Sequence, residues 1–352
     1  MIRFPELLLN RTFVRILYVF VAAFVFAVWV WTAETPITSF NGDPHSKLSD
    51  LIYGAAHKPY VQRALIPILT RSVYSIIPEN TWSSLEENLL AYPKVGKELA
   101  RLGWENEFLA EYMIALTFAF LALTAFPFVV RGLWDHLYET ADSVKAMVPI
   151  LTLLLLPTLF SSGPHYIYDF PALLFFTLGF LLLLKRRWTI YYPIFIIGCI
   201  NKETIIILTL AYVIVCGKTE ARGKLALHLG LQMAAYLIIK TAISYAFRAN
   251  PGSAMEFHVF GNIHILLLGY DWSSVLIVGI TAALLFHDFH TKPELLRRSL
   301  ILVAVFGALV FFFGVIPELR AFYEVVPIVA FLGLHTIFFS YLRQPYRIKQ
   351  IV

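Results

Sequence analysis

The stretch FNGDPHSKLSD at 40–50 sets Asp43 between Gly42 and Pro44, a constrained backbone that holds a carboxylate in one place. Such a group can take the proton of a sugar hydroxyl, or join His45 as a ligand of a divalent cation; the competing reading is an Asx turn with no chemistry. KPYVQRALIP carries Arg63 at the head of an apolar stretch, where a planar guanidinium can fork onto a phosphate or snorkel to lipid headgroups. Asn201, Lys202 and Glu203 interrupt another apolar run. Lys202 is a candidate to neutralise a phosphate leaving group with Glu203 holding it in place, against a self-compensating pair that caps the following helix. IPELRAFYEVVP at 316–327 offers Arg320 as a further phosphate ligand that can pair with Glu324 four residues on, whereas Glu318 reaches Arg320 only if the turn bends them together. GPHYIYDFP at 163–171 adds His165 and Asp169 as supporting groups, its tyrosines reading as interfacial belt residues. His258 and His264 lie six apart, without the spacing of a helical metal pair.

The elements that must position these groups follow from composition. With 59% hydrophobic and only 14% charged residues among 352, the chain falls far from the soluble norm of about 25% charged, which excludes a soluble enzyme and a nucleic-acid-binding module. The expected fold is an all-α polytopic membrane protein, a single transmembrane domain over 1–352. Apolar segments near 16–31, 107–130, 146–160, 170–184, 225–247, 273–287, 299–316 and 325–342 suggest about eight full spans. The first follows Arg3, Arg11 and Arg15 and ends at Trp29 and Trp31, which favours a retained helix over a cleaved signal. The loop 34–106 holds VQRALIPILTRSVYSII, which reads as a helix lying at the interface and able to guide a lipid substrate. Cys199 and Cys216 lie in apolar stretches and imply no disulfide.

The segment 189–216 decides topology. As one helix it would export the basic groups of every later loop. As a broken hairpin with arms 189–200 and 204–216 it leaves 17 of the 28 Lys and Arg in cytoplasmic segments, with both termini inside. Arms of that length reach about 20 Å, short of a hydrocarbon core of roughly 30 Å, so the tip is expected in the outer half of the membrane beside a cavity. With sidedness set this way, the unusual polar residues gather on the outer face.

QRALIP at 62–67, NKET at 201–204 and PELRAFYE at 317–324, with an aspartate soon after the first helix, resemble segments of bacterial GT-C superfamily integral-membrane glycosyltransferases. The resemblance implies inverting transfer of a sugar from a polyprenyl-phosphate carrier to a glycan or lipid acceptor at the outer face of a bacterial inner membrane. Asp43 matches the catalytic aspartate of the first loop; many members carry a second acidic residue directly after it, where this chain has Pro44. Arg63, Lys202 and Arg320 would hold the phosphate, and Glu203 or Glu318 would stabilise the oxocarbenium-like sugar, with a divalent cation as an open possibility. The expected partners are the lipid-linked sugar, the acceptor and membrane lipids, with no nucleic acid. Two alternatives remain: a secondary transporter of an ion or anionic solute, and a non-catalytic subunit of envelope biosynthesis.

Overall fold

The computed structural model of the chain describes residues 10–33, 38–160, 163–269 and 272–349, so Arg3 and Glu34 lie outside it. Helix α1, Arg11–Thr32, starts where the Asn10 side chain accepts from the backbone N–H groups of Thr12 and Phe13. The first loop folds into α2 (Leu48–Tyr53), α3 (Leu65–Ile76), α4 (Glu79–Leu90) and α5 (Pro93–Leu102), where one interfacial helix was expected. Then follow α6 (Leu109–Leu137), α7 (Asp142–Leu155), α8 (Asp169–Leu184), α9 (Trp188–Asn201), α10 (Ile207–Cys216), α11 (Arg222–Ala246), α12 (Val259–Leu268), α13 (Trp272–Phe286), α14 (Glu294–Phe313) and α15 (Val326–His335). One small departure from an all-helical chain is an antiparallel pair of three-residue strands, β1 (Tyr138–Thr140) and β2 (Tyr346–Ile348).

Six of the described helical stretches are long and apolar enough to cross a membrane, which marks an integral membrane protein. They are Arg11–Thr32, Asn106–Leu137, Asp142–Leu159, Arg222–Ala246, Glu294–Phe313 and Leu319–Tyr341. The two other expected spans, near 170–184 and 273–287, correspond to the shorter apolar helices α8 and α13. Helix α8 is apolar on every side, and nearly all of its residues are buried against α6, α9 and α10, as expected of a helix at the centre of a bundle. By contrast α11, α12 and α13 present apolar surface outward, with Ile238 at 70% and Phe260 at 89% exposure, which requires lipid or another apolar covering.

Helices α9 and α10 form a returning pair. At one end Arg186 donates to the Thr219 hydroxyl (2.8 Å) and lies 3.6 Å from Glu220, so the entry and exit of the pair are neighbours. At the other end Asn201 donates to the backbone oxygen of Tyr168 (3.0 Å), and the Ala64 N–H donates to Ile200 (3.1 Å). Gly198 allows this turn to close: a Cβ there would stand 2.7 Å from Ile205 just past the tip.

The contacts divide the molecule into two ends. At the end of Arg186, Lys218 pairs with Glu294 (2.7 Å), and β2 ties the C-terminal segment to the end of α6. The Lys292 ammonium there is buried and donates to the backbone oxygens of Leu284, Leu285 and Leu332 and to the Thr336 hydroxyl at 2.8–2.9 Å, closing the last turn of α13 against α15. At the opposite end, Asn250 donates to the backbone oxygens of Gly54 and Ala56, and the Lys58 N–H to Pro251, joining the first loop to the α11–α12 connection. Asn262 donates to the backbone oxygens of Phe311 (2.8 Å) and Gly314 (2.7 Å) and accepts from the Ile316 N–H, a helix-end bracket that fixes the turn carrying Arg320.

Because Ile205 is β-branched and cannot swing clear, Gly198→Val should overpack the tip and cost about 1–3 kcal/mol, read as a lower thermal unfolding midpoint in detergent. An unchanged midpoint would show that the approach is slack.

Candidate functional site

The tip between α9 and α10 is where separated polar residues meet. Lys202 is in extended conformation (φ −157°, ψ 144°), so its side chain and that of Glu203 point opposite ways. The expected Lys202–Glu203 pair is therefore absent. Lys202 instead lies 3.1 Å from Glu324 and 3.6 Å from Asp169, whose side chains are 1% exposed. Glu203 takes a forked contact from Arg63, with Nη2 at 2.7 Å and Nε at 3.3 Å.

The turn Leu319–Val325 is 3-10 rather than α-helical, which corrects a second expectation. With three residues per turn, positions four apart no longer share a face. Arg320 pairs with Glu318 at 2.5 Å and faces Asp169 at 3.6 Å, while Glu324 turns to Lys202 and accepts from the Thr204 hydroxyl at 2.5 Å.

Two tyrosines join these pairs. The rings of Tyr166 and Tyr168 stack at 5.0 Å and 10°, with the Arg320 guanidinium 4.3 Å from the first ring and that of Arg63 4.6 Å from the second. Arg63 also donates to the Tyr168 hydroxyl. The ladder Arg320–Tyr166–Tyr168–Arg63 is a pair of cation–π contacts on one stack, and both tyrosines are buried rather than belt residues. The i, i+2 spacing of the two tyrosines was the only trace of it in the sequence.

Arg63, Lys202 and Arg320 are thus brought together, but none stands free. Four carboxylates, Asp169, Glu203, Glu318 and Glu324, meet these three cations. The ammonium of Lys240 on α11 is buried and has no hydrogen-bond partner among the described residues. Any phosphate binding here must displace a carboxylate oxygen. The exchangeable ones are Glu203 and Glu318, with side chains 39% and 27% exposed against 1% for Asp169 and Glu324.

Asp43 lies beside this cluster and is not ion-paired into it. Its Oδ1 accepts from the His45 N–H (2.9 Å) and meets His45 Nδ1 at 3.2 Å, which is the Asx turn of the competing reading; Oδ2 has no hydrogen-bond partner among the described residues. The same turn reaches the cluster through Ser46, whose hydroxyl donates to Tyr166 (3.3 Å). The His45 ring is exposed and packs on His57 with centroids 4.4 Å apart.

His165 does not join Asp169. Its Nε2 meets the Thr32 hydroxyl at 3.1 Å, and its ring packs among Trp29, Phe40 and Phe160. Burial there pushes the imidazole down to about 4. His258 stands 3.5 Å from Glu256, and among the described residues no group of three or more His, Cys, Asp or Glu is placed to hold a metal ion.

A cavity of about 370 Å³ opens in the first loop, lined by Lys47, Ser49, Asp50, Tyr53, Glu105 and Phe108.

No family model, no curated protein and no solved structure matches the chain, so the likeness of QRALIP, NKET and PELRAFYE to glycosyltransferase segments stands on those residues alone.

Removing one partner of a buried pair strands the other charge, typically at about 3–5 kcal/mol. Lys202→Met should therefore lower stability by that order, and Lys202→Met/Glu324→Gln should recover part of the loss in thermal unfolding; a double variant no better than the single one would show no coupling. The His165 pKa is depressed in the folded state, so unfolding gains protons as pH falls below about 6.5, and stability declines until the folded imidazole titrates near 4. His165→Gln should flatten unfolding midpoints measured from pH 6.5 to 4.

Proposed function

We propose that the protein is an integral-membrane glycosyltransferase that moves a sugar from a polyprenyl-phosphate carrier to a glycan or lipid acceptor at the outer face of the membrane, with inversion. The observation that carries this reading is the gathering of Arg63, Lys202 and Arg320 around the Tyr166–Tyr168 stack, next to the turn that presents Asp43. The positive-inside rule supports the orientation, since the basic segments collect at the opposite end of the bundle. The GT-C likeness described above supports the reaction class.

In this mechanism Asp43 Oδ2 takes the proton of the acceptor hydroxyl as its oxygen attacks the anomeric carbon. The bond from that carbon to the phosphate oxygen breaks, and the carrier phosphate leaves with the electron pair. Arg63 and Arg320 exchange Glu203 and Glu318 for phosphate oxygens, and the freed carboxylates lie beside the sugar centre as it acquires positive character. Lys202, held by Asp169 and Glu324, keeps the tip in place and adds its field to the same anion. Asp169 thus positions two of the three cations.

A transporter of an anionic solute is the second reading, favoured by Lys240, a buried cation on a membrane-length helix with no hydrogen-bond partner among the described residues.

Proteoliposomes with polyprenyl-phosphate-linked sugars in the outer leaflet separate the two. Asp43→Asn should lower turnover about 10²–10⁴-fold, as loss of a general base does, and Arg320→Lys about 10²–10³-fold. Full turnover in Asp43→Asn removes the base. Solute uptake by wild type, without sugar transfer from any donor, establishes the transporter.

A further inference from the structure

The cavity in the first loop is separate from the ion-pair cluster and has a chemistry of its own. Lys47, Ser49, Asp50 and Tyr53 from α2 and its start, with Glu105 and Phe108 from the turn before α6, line about 370 Å³, within the range of roughly 300–1,000 Å³ common to small-molecule pockets. The Tyr53 and Phe108 rings stand 5.6 Å apart at 54°, giving two apolar faces set at an angle. Tyr53 is held from behind by its hydroxyl, which donates to the buried Glu111. Glu105 is held in the same way: its Oε2 accepts from the Tyr112 and Ser49 hydroxyls, which leaves Oε1 available. Among the described residues the side chains of Asp50 and Lys47 make no hydrogen bond or ion pair.

These walls select a ligand class. Two carboxylates against one lysine disfavour an anion, and that density of charge disfavours a purely apolar molecule. Carboxylates accept from hydroxyls, an ammonium donates to them, and tilted aromatic rings cover the C–H faces of a sugar ring. We infer that this cavity is a saccharide-binding site with Asp50, Glu105 and Lys47 as its polar contacts and Tyr53 and Phe108 as its stacking faces.

The segment 43–53 serves both places. Ser46 touches Tyr166 of the ion-pair cluster, and the following residues line the cavity. The cavity is thus built on the segment that carries Asp43, and on that ground we assign it to the acceptor side. That assignment rests on the transfer reading; saccharide binding does not.

The test is saturation-transfer NMR on the full-length protein in detergent, with maltose, cellobiose and diacetylchitobiose as probes and putrescine and inorganic phosphate as competing classes. At least one disaccharide should bind. Asp50→Asn and Phe108→Ala should each weaken it about tenfold or more, as expected for loss of a charged hydrogen bond or an aromatic face, while Lys218→Gln, exposed at the opposite end of the bundle, leaves it unchanged. Asp50 has no side-chain partner, so its variant tests the site even if Phe108→Ala fails to fold. No disaccharide binding, binding indifferent to Asp50→Asn, or binding of putrescine or phosphate alone overturns the proposal. Saccharide binding in a protein that transfers no sugar leaves the site standing and removes the acceptor role.

Discussion

The structure depends on the ion contacts of Lys202 with Asp169 and Glu324. A lysine buried among apolar helices is tolerated only if it is neutralised where it stands. Its partners come from the start of α8 and from the 3-10 turn before α15, so one ammonium joins three parts of the chain at a single level of the bundle. Arg320 shares Asp169 from the other side, and the tyrosine stack carries the contact on to Arg63 and Glu203. Without the lysine, Asp169 and Glu324 would lose their shared cation, although Asn201, Arg63 and Thr204 would still hold the tip.

Such a network favours specificity of arrangement more than bulk stability. Buried pairs recover little beyond their desolvation cost, whereas mispaired alternatives are heavily penalised, which makes the register of the tip unique. Stability comes from the apolar packing of α8 within α6, α9 and α10. The division suits a site: the helices supply rigidity, and a set of charges with partly exposed outer members, Glu203 and Glu318, supplies places where an incoming ligand can substitute.

Much of this architecture is written in the chain and some of it is not. The apolar runs and the interruption at 201–203 mark the helices and the returning pair, since lipid leaves few other options for backbone polar groups. The grouping of Arg63, Lys202 and Arg320 followed from placing their segments at one end. Their partners did not follow, because pairing depends on local backbone form: the extended Lys202 sends neighbours apart, and the 3-10 turn rotates Glu324 away from Arg320. Tyr166 and Tyr168 read as belt residues because nothing nearby in sequence shows two arginines arriving from more than a hundred residues away on either side. Lys292, a basic loop residue by sequence, proved to be a buried cap on four oxygens for the same reason. The cavity at Asp50 was invisible because its walls belong to separate helices of a loop that read as one.

The order in which Lys202 finds its partners bears on how the chain is made. Asp169 precedes it in the chain and has been made before the α9–α10 pair. Glu324, by contrast, lies 120 residues beyond Thr204, its other contact at the tip. Until the last helices have been made, the hairpin tip has only one of the two carboxylates that compensate Lys202, so its full set of contacts closes late in synthesis.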